Sequence, residues 1–414
     1  MMLLWVGNLI QFLGKKKNKV MKCKIVVGAN YGDEGKGLVT HILTKNYIEN
    51  NEKVLNILYN GGCQRGHTVD YTDDDRHVYK HFGSGTLDGA DTYFNKDFML
   101  NPTQFIEEYK TLKEKANLTN MFRCFCHRDC KVSTPYDALL NQMLEINRDE
   151  NRHGSCGWGI FETRKRYENS EYDWSFLKMR CATNQQLYIY LEKIAKEYLP
   201  KKIEEYKIKD SVIEKYRNIC ISSDLINAYI DDFRSMCKLV DIIYFGDLIK
   251  KYDTVIYEGG QGLALSETNT KNFPYLTPSK TGSEIPIAEI EPYTNDIEVI
   301  YVTRSYITRH GAGPLPYECS REKINPNIED KTNFPNDFQK SLRFAEFDYA
   351  DLIDRIETDN CKKYKRNLYI THWGYGKISG RVLNDISYYL EDIKLVCDKF
   401  GKQIKQYRYG GGND

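Results

Sequence analysis

The sequence of 414 residues predicts an α/β protein with a central, mostly parallel β-sheet flanked by helices. Two observations carry this prediction. Several short apolar segments end in glycine-rich or polar loops, which is typical of buried parallel strands. The segments between them place apolar residues at steps of three and four, which is typical of amphipathic helices. Because the chain is longer than a typical domain, we expect one core over residues 21–414 that carries a helical insertion, or helical subdomain, near residues 140–250.

The first predicted strand, at Val26 and Val27, runs into a glycine-rich turn with the sequence GANYGDEGKG over residues 28–37. Closely spaced glycines let backbone N–H groups approach a bulky anion, and the start of the following helix favours negative charge. We therefore expect this turn to bind a phosphate group. Its glycines lie closer together than those of a P-loop, and it adds a carboxylate, Asp33.

The later elements follow in order along the chain. A second buried strand is predicted over Val54–Tyr59, and it delivers His67 to the loop at its end. The other predicted elements are a helix over Thr103–Lys115, helices from Asn184 to about Lys251 that include Ile221–Phe245, strands at Asp253–Tyr257, Val299–Thr303 and Leu368–Thr371, and a helix over Ile386–Phe400. Prolines and asparagines between residues 325 and 344 predict a mobile ligand-binding loop.

Composition and charge limit the classes of partner. The formal net charge of +1 gives no basic surface for nucleic acid, so we expect no nucleic-acid partner. Twelve cysteines without a CxxC pair indicate reduced thiols and a cytoplasmic location. The apolar start of residues 1–20 is too short to span a bilayer, and its lysines follow the apolar stretch, unlike those of a signal peptide. We interpret it as a disordered extension or a misassigned start, and we expect no membrane role.

Four segments, in the same order along the chain, resemble motifs of the adenylosuccinate synthetases. The glycine-rich turn is similar to the family's Gly-Asp-Glu-Gly-Lys-Gly signature. The other three are residues 60–68 (NGGCQRGHT) followed by Ser84 and Gly85, residues 258–262 (EGGQG) followed by residues 274–279 (PYLTPS), and residues 308–316 (TRHGAGPLP). The resemblance implies a P-loop-NTPase-like α/β fold.

The resemblance also implies a reaction. The family joins L-aspartate to C6 of IMP, using a nucleoside triphosphate and passing through a 6-phosphoryl intermediate. Asp33 would take the proton from N1 of the purine, and His67 would donate to the transferring phosphoryl group. Lys36 would hold charge on the γ-phosphate, and Gln261 would orient O6. Mg²⁺ is the implied cofactor, with Asp33 and the carbonyl of Gly66 as its protein ligands.

The remaining site residues implied by the resemblance bind substrates. Ser341 and Arg343 would bind L-aspartate. The nucleotides and their phosphates would be bound by Gly32, Glu34, Gly35, Gly37, Gly66, Thr68, Ser155, Cys156, an arginine among Arg164 and Arg166, Thr277, Arg309, Thr371, Trp373, Gly410 and Gly411. The resemblance further implies a homodimer whose 5′-phosphate site lies partly across the interface.

Three stretches depart from the family pattern: Cys156–Trp158, Phe338–Phe344 and Thr371–Gly374. The stretch Thr371–Gly374 lacks the carboxylate that, in the family, accepts hydrogen bonds from guanine. Both GTP and ATP therefore remain candidates for the phosphoryl donor. Related 2-aminoadenylosuccinate synthetases of phages and archaea join aspartate to dGMP with an adenine nucleotide, often with a small residue at the position of Asp33. IMP is therefore our first expectation for the acceptor, (d)GMP is the alternative, and a nucleotide-binding sensor without ligase activity is a further alternative.

Overall fold

The computed structural model describes residues 20–116, 122–329, 341–359 and 361–408. The strands, in chain order, are β1 (Lys22–Gly28), β2 (Val54–Leu58), β3 (His67–Asp70), β4 (Arg76–Tyr79), β5 (Asp91–Phe94), β6 (Met99–Leu100), β7 (Cys124–Cys126), β8 (Lys131–Val132), β9 (Val240–Ile242), β10 (Thr254–Gly262), β11 (Ile297–Arg304), β12 (Ile307–Arg309), β13 (Glu318–Cys319), β14 (Arg343–Ala345), β15 (Lys365–Thr371), β16 (Asp392–Val396) and β17 (Ile404–Tyr407).

The α-helices are α1 (Lys36–Glu49), α2 (Pro102–Lys115), α3 (Pro135–Arg148), α4 (Ile160–Tyr167), α5 (Phe176–Cys181), α6 (Asn184–Lys193), α7 (Leu199–Glu205), α8 (Asp210–Cys220), α9 (Ser223–Cys237), α10 (Phe245–Ile249), α11 (Glu284–Ile290), α12 (Arg321–Ile324), α13 (Tyr349–Thr358) and α14 (Gly380–Ser387). One π-helical turn, Ile194–Tyr198, joins α6 to α7.

Ten of these strands form one sheet in the order β17-β16-β15-β11-β1-β10-β2-β5-β7-β9. Neighbouring strands are parallel except β16 and β17, so the predicted fold class is confirmed. Successive residues of β1 face opposite sides of the sheet: Ile25 and Val27 belong to one apolar cluster, and Val26 belongs to another that includes Leu38 of α1. Helices cover both faces, and β1 therefore lies at the centre of the core.

Helices α3 to α9 lie between β8 and β9, in the region of the predicted helical insertion. They share the largest apolar cluster with α2 and one edge of the sheet, and it includes Phe105, Leu140, Leu191 and Phe233. The division of the chain into an extension and one domain stays a prediction.

Two predicted elements are wrong in part. The helix predicted over Ile386–Phe400 is instead the end of α14 and the strand β16, which pairs with β15 and β17. The apolar residues of the region satisfy a helical period, but tertiary pairing at the sheet edge decides the outcome. The helices predicted through Phe245 are interrupted by β9, a three-residue strand too short to show a period in the sequence.

No helix among the described residues is both long enough and apolar enough to cross a membrane.

Candidate active site

The glycine-rich turn is held together by one of its own carboxylates. Glu34 Oε1 accepts from the backbone N–H groups of Asn30 and Gly32 at 3.0 and 2.8 Å, and Oε2 accepts from Lys36 Nζ at 2.7 Å. Both charged side chains are only 2% exposed. Gly35 precedes α1 with a φ of 91°, a conformation that favours glycine. The turn therefore has a fixed shape, with Lys36 at the start of the helix.

His67 lies against the first turn of this helix. A side chain at Gly37 would place its Cβ 2.8 Å from Cβ of His67 and 3.1 Å from Ser84 Oγ, so glycine at this position permits the contact. The predicted residues Lys36 and His67 are thus brought to the same side of the turn.

A buried carboxylate orients His67. Glu258 Oε1 accepts from His67 Nδ1 at 2.6 Å, and the carboxylate also accepts from the backbone N–H and hydroxyl of Ser84 and, at 3.3 Å, from Arg65. Burial would raise the pKa of Glu258, but Arg65 and the hydrogen bonds from His67 and Ser84 lower it to about 2. The other ring nitrogen of His67, Nε2, has no partner among the described residues. The imidazole is therefore oriented through Nδ1, and Nε2 is buried with its hydrogen-bonding capacity unused among the described residues.

The pKa of His67 lies below its ordinary value. Burial is the largest cause, and the neighbouring charges of Arg65 and Lys36 add to it, while Glu258 acts in the opposite direction. Sequence reasoning did not assign a role to Glu258 or Arg65. The signal available for Glu258 was its place at the head of the EGGQG segment, directly after a buried strand.

Asp33 lies on the opposite flank of the turn. Its Oδ2 is 3.1 Å from His310 Nε2, and its backbone carbonyl accepts from Arg304 Nε. Burial would raise the pKa of Asp33, but His310, Arg304 and Lys36 outweigh it and hold that pKa well below its usual range. The side chain keeps 19% exposure. Asp33 is therefore an ionised carboxylate that a ligand can reach, and the role of His310 was not predicted.

Sheet order explains why the two flanks differ. On one side of β1, strand β10 carries Gln261 near its end, and β2 leads through a loop to His67 at the start of β3. On the other side, β11 leads through β12 to His310. Gln261 Oε1 accepts from Gln64 Nε2 at 3.4 Å. Groups from both sides therefore meet above the carboxyl end of β1, where parallel sheets bind their ligands.

The two arginines assigned to substrate carboxylates or phosphates make contacts within the chain. Arg309 donates to the carbonyls of Pro314 and Tyr275, and its guanidinium lies 4.6 Å from the ring of Tyr31. Arg343 is paired with Glu318. Ser341, the other residue assigned to aspartate, is exposed beside it.

Arg166 is not placed to bind a phosphate. Its side chain is fully buried among the helices, where it donates to Asp137, to the carbonyls of Val132 and Tyr172, and to the hydroxyl of Tyr190. These contacts engage Nε and both Nη atoms of the guanidinium. Arg164, which is half-buried and lies 3.5 Å from the carbonyl of Pro278, next to Thr277, is the arginine placed beside the predicted 5′-phosphate residues.

The loop that holds Ser155 and Cys156 is tied to α3. Ser155 Oγ donates to Asn141 at 3.0 Å, and the N–H groups of Gly154 and Ser155 lie 2.9 and 3.4 Å from the buried carboxylate of Glu145. Burial raises the pKa of Cys156 to about 11. A phosphate at this loop would meet its remaining N–H groups, since Glu145 already uses these two.

The loop after β15 contains Thr371 and Trp373. Thr371 Oγ1 donates to the carbonyl of Glu34 at 2.7 Å and so links this strand to the glycine-rich turn. Trp373 packs partly against the apolar cluster of Ile25 and Val27, and its backbone N–H donates to the carbonyl of Val396. Trp373 is half-buried, which leaves part of the indole available for stacking.

The predicted metal ligands suit a cation shared with phosphates. Asp33 would contribute one carboxylate and Gly66 a backbone carbonyl, and Thr68 lies two residues after Gly66 on β3. Among the described residues, no group of three or more His, Cys, Asp or Glu side chains is arranged to hold a metal. Mg²⁺ commonly takes only one or two protein carboxylates and completes its shell with substrate phosphates and water, so this donor set fits it.

Two predicted stretches, Gly410 with Gly411 and Phe338–Lys340, lie outside the described residues.

Comparisons with known proteins identify a family and a fold. The adenylosuccinate synthetase family model matches residues 25–356. The adenylosuccinate synthetase of Coxiella burnetii (strain RSA 331 / Henzerling II) is 28% identical over 345 residues, which cover 81% of this chain and 73% of the relative. That of Geobacter sulfurreducens is 26% identical over 311 residues, 71% of this chain. The chain spans 64% of the length of the Geobacter relative.

Two solved structures share the fold. A fully ligated adenylosuccinate synthetase from Plasmodium falciparum has a TM-score of 0.65 at 17% identity, covering 92% of this chain and 80% of the other. A cyanophage S-2L succinoaminodeoxyadenylate synthetase, bound to dGMP and dATP, has a TM-score of 0.61 at 17% identity, covering 94% and 95%.

The members of the matched family are ligases that form C–N bonds. The match includes the turn, the His67 loop and the strands on both sides of β1. Because it extends over residues 25–356, the chain belongs to the adenylosuccinate synthetase family.

Proposed function

We propose that this chain is a purine nucleotide–aspartate ligase that condenses L-aspartate with IMP, driven by a nucleoside triphosphate, to form adenylosuccinate in purine nucleotide biosynthesis. The observation that carries the proposal is the placement of Asp33 and His67 on opposite flanks of one glycine-rich turn. An ionised carboxylate and an oriented imidazole at a phosphate-type turn suit proton abstraction beside phosphoryl transfer.

In the first step, Asp33 accepts the proton from N1 of the purine, which makes O6 nucleophilic. O6 forms a bond to the γ-phosphorus while the bond to the β,γ-bridging oxygen breaks, and the nucleoside diphosphate leaves. Lys36 and the N–H groups of the turn hold charge on the phosphates, and His67 Nε2 stands ready to donate to the transferring group. Glu258 keeps the ring of His67 in the orientation that presents Nε2.

In the second step, the amine of L-aspartate attacks C6. The bond between C6 and O6 breaks, inorganic phosphate leaves with that oxygen, and the amine releases a proton. Gln261 orients the O6 side, and Arg343 with Ser341 binds the aspartate. Mg²⁺ held by Asp33 and the carbonyl of Gly66 would neutralise charge on the phosphates when bound.

The test is an end-point assay by mass spectrometry of the purified chain with L-aspartate and Mg²⁺. It crosses IMP and dGMP with GTP and ATP. We expect succinyl-AMP from IMP. A 2-amino-succinyl-dAMP product alone would instead assign the chain to the (d)GMP reaction, and no product from any pair would contradict ligase activity.

Variants separate an enzyme from a nucleotide sensor. Asp33→Asn and His67→Asn should lose turnover by about 10²-fold or more while keeping nucleotide binding. The matched controls are Asp247→Asn, an exposed aspartate paired with Lys250, and His127→Asn, a half-buried histidine on the loop after β7. Both controls should retain turnover, and a sensor would show no turnover in any of these proteins.

A further inference from the structure

Two arginines lie directly opposite each other on adjacent strands. Arg309 of β12 and Arg343 of β14 are cross-strand partners in an antiparallel pair. Like charges in this position repel, so the pair needs a nearby anion. Arg309 is only 1% exposed, and its Nε has no partner among the described residues. The two guanidinium groups therefore form a site suited to an anion.

Glu318 supplies that anion in the structure. Its carboxylate accepts from Arg343 Nε at 2.8 Å and from Arg343 Nη2 at 2.5 Å, so the pair is bidentate. The side chains of Arg343 and Glu318 are 27% and 45% exposed. The third nitrogen, Nη1, donates to the carbonyls of Gly311 and Gly313 at 3.1 and 2.9 Å. Glu318 thus binds Nε and Nη2 of Arg343, and Nη1 keeps its contacts with the two glycine carbonyls.

We propose that Glu318 occupies the carboxylate position that L-aspartate takes at Arg343, and so competes with this substrate from within the chain. The inference rests on the proposed function, which assigns Arg343 to aspartate. The Nε and Nη2 groups of one guanidinium can donate to only one carboxylate in bidentate geometry, so Glu318 and the substrate exclude each other. Since the pair is partly exposed, opening it costs little, and aspartate can displace it.

The exchange takes place close to the proposed base. Arg343 Nη1 holds the loop that follows His310, and His310 contacts Asp33. Arg343 can exchange Glu318 for aspartate while its Nη1 still holds Gly311 and Gly313. The contact between His310 and Asp33 then stays unchanged. We therefore expect the effect of Glu318 to fall on aspartate binding more than on the chemical steps.

The test compares the full chain with Glu318→Gln. The KM for L-aspartate, measured at saturating IMP and triphosphate, should fall about three- to tenfold, with a smaller change in kcat. The matched control is Glu346→Gln, which removes an exposed carboxylate one residue beyond β14 that is paired with Lys323 at 3.0 Å. This control should leave the KM for aspartate unchanged.

A calorimetric titration keeps the test independent of turnover. L-Aspartate is titrated into wild-type protein and Glu318→Gln in the presence of IMP and a non-hydrolysable triphosphate, and the variant should bind more tightly by the same factor. Equal or weaker binding by the variant overturns the inference, as does the absence of aspartate binding in both proteins. Failure of wild-type turnover counts against the proposed function, whereas the titration still decides the inference.

Discussion

At the scale of single residues, neighbouring groups shift the pKa values of carboxylates in opposite directions. Glu258 is buried but accepts from His67, Ser84 and Arg65, so it stays ionised. Glu289 is half-buried, Asn95 and Tyr257 are its hydrogen-bond partners, and the loss of hydration raises its pKa. The difference follows from whether a positive charge lies within reach.

This contrast gives a prediction for Glu258→Gln. An amide accepts a hydrogen bond from His67 Nδ1 but lacks the charge that stabilises a protonated ring, so kcat should fall about 10²-fold while KM for IMP stays close to wild type. Steady-state kinetics measure both values. Glu289→Gln is the matched control and should keep its kcat; an equal loss in both variants would point to a general packing defect.

Glu162 provides a pH-dependent prediction. It is 2% exposed, its partner is the hydroxyl of Tyr206 at 3.2 Å, and burial raises its pKa to about 7. Between the unfolded pKa near 4.5 and the folded pKa, the native state holds more protons, so this group lowers the free energy of unfolding as pH rises through that window. Glu162→Gln should therefore raise stability by about 1–3 kcal/mol at pH 8 and by much less at pH 4.

Urea denaturation at the two pH values checks the prediction for Glu162. The control is Glu168→Gln, one residue beyond the end of the same helix, whose side chain is 52% exposed and paired with Lys165. A pH-independent effect of Glu162→Gln would contradict the assigned cause.

Residue roles that rest on local sequence could be predicted, and those that rest on distant contacts could not. Asp33 and Lys36 belong to one glycine-rich turn whose spacing suggests an anion site. The partner of His67, by contrast, is 191 residues away, and no local pattern links the two. The same holds for Arg166, whose burial depends on Asp137, Tyr172 and Tyr190.

At the scale of elements, the five adjacent strands at the centre of the sheet, β15, β11, β1, β10 and β2, could be predicted, and the strands on either side of them were missed. Strands β1, β10, β11 and β15 each contain three or four consecutive apolar residues, and β2 (VLNIL) has a single asparagine among apolar residues, because both of their faces are buried. The edge strand β9 has only three residues, and β16, which lies between β15 and the edge strand β17, alternates between half-buried and buried residues over its first four positions, so their sequences also fit the end of a helix. Pairing with neighbours distant in sequence decides such segments.

The loop after β15 predicts the preference for the triphosphate donor. No carboxylate lies in residues 371–374, and Asp398, which follows the neighbouring strand, already accepts from the backbone N–H groups of residues 400, 402 and 403. Guanine would lack its acceptor, so ATP should support turnover at least as well as GTP.

Gly374→Asp tests this argument. A Cβ at this position has no heavy atom within 4 Å, and aspartate is among the residues that tolerate its left-handed φ of 96°. The variant should raise the ratio of kcat/KM for GTP over ATP about tenfold. Gly374→Asn introduces the same backbone strain without the charge, so an equal shift in both variants would count against a carboxylate–guanine contact.

At the scale of the whole molecule, the family resemblance predicts a homodimer with the 5′-phosphate site close to the interface. Two large exposed rings lie on the segments that carry Arg164 and Thr277: Phe161 on α4 is 45% exposed, and Phe273 is 77% exposed. Exposed aromatic side chains of this kind are enriched at interfaces between subunits.

Phe273→Ser should therefore shift the protein from dimer towards the 48.4 kDa monomer and reduce turnover at low protein concentration. Light scattering after size exclusion measures the mass, and a dilution series measures the activity. Tyr388→Ser removes a ring that is 72% exposed near the β17 edge of the sheet and should leave both unchanged. A wild-type protein that is monomeric at all concentrations would contradict the prediction.

The hydrogen bonds from Asn30, Gly32 and Lys36 to Glu34 fix the shape of the turn through contacts within the chain. A preorganised binding site loses little conformational entropy when a ligand binds. The resulting gain in affinity applies to every ligand that carries the contacted phosphates. The nucleoside diphosphate product is such a ligand, so it should dissociate slowly and inhibit the next turnover. Flux through the enzyme would then follow the ratio of triphosphate to diphosphate around it, and the energy status of the cell would set the rate without any separate regulatory site.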